Sequence, residues 1–181
     1  MSKKFKKLRF SIRKLSIGTI SLSVGLSLVQ PTILNQNIVI ASSANAETGL
    51  QGSVSTEQEL KDKINNNEQD IVLSKNIDIT STINIPKSFT GKIHGNGFTL
   101  KLVTQNINMF SINGSTIMFD SIVLDGNDIG RLLNISGEAD IILKKSTIQK
   151  GNTGNSSHGG GVFVRDSKLK LDNTTIQDSK A

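Results

Sequence analysis

The sequence predicts an all-β protein, a parallel β-helix whose short strands wind into a solenoid behind an N-terminal export segment. Three observations carry this. The apolar period changes from 3.6 residues to 2 at Ile71. Aliphatic triplets then recur as Ile117-Met118-Phe119, Ile141-Ile142-Leu143 and Leu169-Lys170-Leu171, at intervals of 24 and 28 residues. A repeat of that length built from short β runs is how a solenoid reads in sequence. Third, residues 1–46 consist of a basic stretch, an apolar run and a tail of small residues, the three parts of an export signal.

The basic stretch ends at Lys14, and the apolar run is Leu15–Val29. Crossing the hydrocarbon core of a bilayer takes about 20 apolar residues. Fifteen, diluted by Ser and Gly, fall short, so no stable membrane span is expected after processing. The segment closes on Ala44-Asn45-Ala46, where Ala44 and Ala46 suit the shallow pockets of a signal peptidase. Cleavage is expected before Glu47, with signal peptidase as a partner during export.

Charge agrees with this division. Seven of the 21 Lys and Arg lie in residues 1–46, which hold no acid, and the remaining 14 face 15 acids. The formal charge of +6 is therefore a property of the leader, and the body has no excess of bases to offer phosphates. No nucleic-acid partner is expected. The chain has no Cys, so neither a disulfide framework nor a thiolate metal site is available to it.

Phe10-Ser11-Ile12-Arg13-Lys14, with Gly18 and Ser21 following at fixed spacing, resembles the YSIRK-G/S signal of Gram-positive surface proteins. Phe10 stands where Tyr is commoner. The resemblance implies export to the cell surface and sorting to the cell wall, usually through an LPXTG-type signal at the far end of the chain.

A linker is expected over residues 47–55. Thr56 and Glu59 then form a Thr-x-x-Glu capping box, which predicts a helix over about 57–65 with Leu60 and Ile64 on one face. Nine residues make a helix too short to stand alone. From about residue 71 the alternating runs Ile71-Val72-Leu73, Ile77-Asp78-Ile79 and Ile83-Asn84-Ile85 read as strands, and Gly95-Asn96-Gly97 as a tight turn. In a parallel solenoid each turn stacks about 4.8 Å above the last, so equivalent residues form vertical columns. The predicted buried columns are Ile117/Ile141/Leu169, Phe119/Leu143/Leu171 and Leu124/Ile148/Ile176. Ser121/Lys145/Asn173 is a polar bend column between them. A third strand per repeat comes from Phe110-Ser111-Ile112, Leu133-Asn134-Ile135 and Val162-Phe163-Val164. Extra residues loop out near GNTGNSSHGG, residues 151–160.

The helix followed by DIVLSKNIDIT and GKIHGNGFTLKL resembles the start of right-handed β-helix domains of the pectate-lyase-like adhesive kind. That resemblance implies a right-handed solenoid over residues 56–181 with the helix covering its open N-terminal edge. A bare edge invites pairing with other chains, so the absence of a second cap leads us to expect further rungs and a longer, wall-associated protein.

Candidates for chemistry are few. Asp125-Gly126-Asn127-Asp128 with Arg131 could bring two carboxylates and a cation to one groove, but it also reads as a polar turn between strands. Gln149 and Gln177 replace Asp125 in the later repeats, so no acidic ladder forms. His94 and His158 are 64 residues apart and lack a partner motif. Phe110, Phe119 and Phe163 lie in β runs and are expected to pack internally. Neither metal nor other cofactor is expected. The reading is a non-enzymatic adhesive module that binds a host or matrix glycan or protein along a face of Ser, Thr, Asn and Lys. The alternative is a polysaccharide lyase or hydrolase of the β-helix class.

Overall fold

The structure, a computed structural model, describes residues 52–154 and 158–181. The described residues belong to one compact unit.

Those residues form a parallel β-solenoid. It opens with β1 (Ser53–Val54) and a helix, α1 (Glu57–Asn65), the only helix among the described residues. The first turn is β2 (Asp70–Leu73), β3 (Ile77–Ile79) and β4 (Ile83–Ile85). The second is β5 (Thr90–His94), β6 (Thr99–Leu102) and β7 (Asn108–Asn113). The third is β8 (Thr116–Asp120), β9 (Val123–Asp125) and β10 (Arg131–Ser136). The fourth is β11 (Asp140–Lys144), β12 (Thr147–Gln149) and β13 (Val162–Val164), followed by β14 (Lys168–Asp172) and β15 (Thr175–Gln177). Strands stack into three sheets, in the orders β1-β2-β5-β8-β11-β14, β3-β6-β9-β12-β15 and β4-β7-β10-β13. Every strand pairing among the described residues is parallel, as a solenoid requires of strands that return to the same face on each turn.

The register realises the predicted columns. Ile117, Ile141 and Leu169 are successive partners, as are Phe119, Leu143 and Leu171. Leu124, Ile148 and Ile176 align in the second sheet. The columns also run upward into turns that the recurring triplets do not reach, because Phe119 pairs with Ile93 and Ile93 with Ile71. The third sheet stacks Ile83, Phe110, Leu133 and Val162. Phe110 and Phe119 meet inside, edge to face, with centroids 5.1 Å apart. On the last strands the inward residues Val164, Leu171 and Ile176 are exposed.

Corners decide the polar pattern. Ser121, Lys145 and Asn173 all have left-handed backbone, with φ of 54°, 49° and 48°, which is how the chain turns from the first sheet to the second. Tight corners leave amide groups turned inward, and hydroxyls satisfy them. Ser146 is buried; its Oγ accepts from Ile122 N at 3.3 Å and donates to Lys144 O at 2.7 Å. One turn lower, Thr174 Oγ1 accepts from Ser146 N and donates to Leu143 O. Ser179 serves the second corner and Ser167 the third in the same way.

At the top, the capping box is complete. Glu59 N donates to Thr56 Oγ1, and the Glu59 carboxylate accepts from Thr56 N. Leu60 and Ile64 are buried, and α1 packs against β3 and β4. Glu57 pins the helix to the corner between those strands by accepting from the N–H and hydroxyl groups of both Thr80 and Ser81. The end of the expected linker is not a linker. Ser53–Val54 is a strand paired with β2, and Val54 is fully buried. One apolar residue between Ser and Ser is too short a signal for periodicity to detect.

Candidate functional site

The Asp125 turn is a structural element. Asp125 is nearly buried. Its Oδ1 accepts from Asn127 N at 2.8 Å, a local turn closure, and its Oδ2 accepts from Gln149 Nε2 at 3.0 Å. Gln177 Nε2 in turn donates to Gln149 Oε1 at 3.3 Å. The Gln residues in the later repeats therefore continue an axial side-chain ladder that ends on the carboxylate. Asp128 faces outward, 3.2 Å from Lys180 Nζ.

Arg131 does not join the two carboxylates. Its Nε donates to Gly159 O at 3.0 Å, Nη2 to His158 O at 3.2 Å and Nη1 to Asn108 Oδ1 at 3.4 Å. Partial burial pulls its pKa below the ordinary value. The guanidinium carbon lies 5.3 Å from the centroid of the Phe163 ring, and the His158 ring meets the same Phe edge to face. Phe163 thus departs from the internal packing expected of it. It pairs with Asn134, in the outward column Asn84/Ser111/Asn134, while its neighbour Val162 takes the inward position. A three-residue apolar run gives no alternation to show which member points out.

His94 lies elsewhere, on the outer side of the first sheet. Its Nε2 is 3.7 Å from Asp70 and its Nδ1 is 3.8 Å from Asp120. The two histidines thus serve different faces. Among the described residues no three His, Cys, Asp or Glu are grouped so that they could hold a metal ion.

The feature that sequence reasoning missed is a polar groove along the corner between the second and third sheets. One hollow, about 190 Å³, is lined by Asn106, Asn108, Gly130, Arg131, Asn152 and Thr153 together with Ile107. A second, about 210 Å³, adds Gln105, Asp128 and Ile129 and shares Asn106 and Asn152 with the first. The lining comes from three successive turns, so the groove runs along the solenoid axis for about 10 Å. Gly130 lets its turn pack closely on the one before it, since a Cβ there would lie 2.5 Å from Ile107 O and 2.8 Å from the buried Leu102 Cδ1. The polar residues are scattered in the sequence, with Gln105, Asn106 and Asn108 in the second turn, Asp128 in the third and Asn152 in the fourth, and they become a pattern only when the register is known.

The leader residues Phe10, Ser11, Ile12, Arg13, Lys14, Gly18, Ser21, Ala44 and Ala46 lie outside the described residues. In a comparison with protein families, residues 5–29 match the model of the YSIRK type signal peptide. The chain carries a YSIRK-type signal peptide. It is therefore an exported surface protein of the Gram-positive kind, processed by signal peptidase, with a β-solenoid as its described part. No curated protein and no solved structure matches the chain. No helix among the described residues is long and apolar enough to cross a membrane.

Proposed function

We propose that the solenoid is a non-enzymatic adhesive module, displayed at the cell surface to bind a host or matrix ligand along its side. The observation that carries this reading is the corner groove. Its three-turn wall is built mainly of carboxamide, hydroxyl and guanidinium groups, the chemistry of recognition by hydrogen bonding. The groups considered for acid/base work are held in structural roles: Asp125 in a turn and ladder, and Arg131 as a clamp on the segment before β13. The pectate-lyase-like adhesive resemblance supports the same reading. Wall association through a longer chain is part of the proposal.

An in-frame deletion of residues 56–181 that keeps the signal tests it. Cells carrying the deletion are expected to lose attachment to the surface that the parent strain colonises. Undiminished attachment would refute an adhesive role.

A further inference from the structure

We infer that Arg131 fixes the hydrogen-bond polarity of the corner groove, leaving Asn108 as a donor and Thr153 as an acceptor for the ligand. This rests on the binding reading above and adds which residues of that site select what it binds. A guanidinium carries five N–H groups and no acceptor, so any polar atom that it bonds must accept. Nη1 donates to Asn108 Oδ1 at 3.4 Å, which assigns the Asn108 carbonyl to Arg131 and leaves the amide NH2 to donate elsewhere. On the other side, Nη2 and Nε hold the carbonyls of His158 and Gly159. Thr153 Oγ1 donates to that same His158 O at 3.0 Å. Its one proton is thereby committed, and its oxygen is left to accept.

Asn108, Arg131 and Thr153 line one hollow and come from three successive turns. Arg131 is itself fixed: its backbone N–H donates to Ile107 O at 3.0 Å, and its guanidinium carbon lies 5.3 Å from the centroid of the Phe163 ring. A donor and an acceptor held from a fixed centre are preorganised, so a ligand spends less ordering entropy to engage them. Asn152, the other carboxamide in this hollow, already donates to Asp128 O and accepts from Gly154 N. The complementary ligand sets an acceptor against Asn108 and a donor against Thr153. The reverse arrangement meets donor with donor and leaves polar groups unpaired, which is how such a pair rejects a wrong partner. A lysine at position 131 is a point charge without the planar fork, and does not reproduce bonds to both sides.

Asn108→Asp is the deciding variant, because an aspartate keeps the oxygen that Arg131 holds and has no N–H to offer. In the full exported chain displayed on cells, it is expected to leave the unfolding midpoint unchanged or raised. Attachment to the surface that the parent strain colonises is expected to fall roughly tenfold or more. Thr153→Val keeps the side-chain shape and deletes the acceptor, and Arg131→Lys loses the fork; both are expected to weaken attachment in the same way. A purely structural role for Asn108 predicts parental attachment by the Asn108→Asp cells, and that result would overturn the inference. A lowered midpoint in the same variant would overturn it too, since the Asn108 carbonyl would then not be what Arg131 holds. If attachment needs residues 56–181 but tolerates both Asn108→Asp and Thr153→Val, this inference fails while the adhesive reading survives.

Discussion

At the residue scale, the solenoid depends on two kinds of position, inward columns and left-handed corners. Phe119 is fully buried, stacked between Ile93 and Leu143 and against Phe110. Phe119→Ala opens a cavity across two turns and is expected to cost about 3–5 kcal/mol, measurable as a lower denaturant midpoint. Lys145 is the reverse case. It occupies a left-handed corner while its side chain is exposed, and its column partner Asn173 is better suited to that backbone. Lys145→Asn is expected to stabilise the protein by up to about 1 kcal/mol, seen as a raised midpoint. The inward columns were legible in the sequence because burial repeats the same residue class at each turn. The left-handed geometry was legible only as polarity, since Ser, Lys and Asn share no side-chain signature. Phe163 was misread because a bulky apolar residue in a strand is usually buried, and here Arg131 and His158 enclose it on the outside.

At the element scale, α1 is the part whose attachment can be titrated. Partial burial works against ionisation of Glu57, yet hydrogen bonds from Lys61, Thr80 and Ser81 outweigh it and hold the carboxyl at about 2, down from 4.5. A depressed carboxyl stabilises the fold above its unfolded pKa and loses that contribution as pH falls toward the folded value. Stability is therefore expected to decline between about pH 4.5 and 2, and Glu57→Gln should flatten that part of the urea-midpoint profile. Thr56→Ala removes the cap and is expected to cost about 1 kcal/mol at neutral pH. The capping box was readable from Thr56 and Glu59 alone, because it is a local motif. Strand β1 was not, because its only reason to be a strand is the edge of β2, which sequence order does not reveal.

At the scale of the whole molecule, a solenoid is a device for turning a local repeat into a long face. Each turn contributes a few polar groups at the corner between the second and third sheets, and stacking lines them up. None of Gln105, Asn106, Asp128 or Asn152 is distinctive within its own turn, which is why the groove was invisible before the register aligned them. The export signal was the opposite case, a motif at fixed spacing that needs no structure to be read. Signal and groove together underlie the proposal of a surface-displayed binding module, and competition tests that proposal most directly. Soluble exported protein, added in increasing amounts to parent cells, is expected to block their attachment in proportion to dose by occupying the same ligand. Attachment that persists at saturating protein would contradict it.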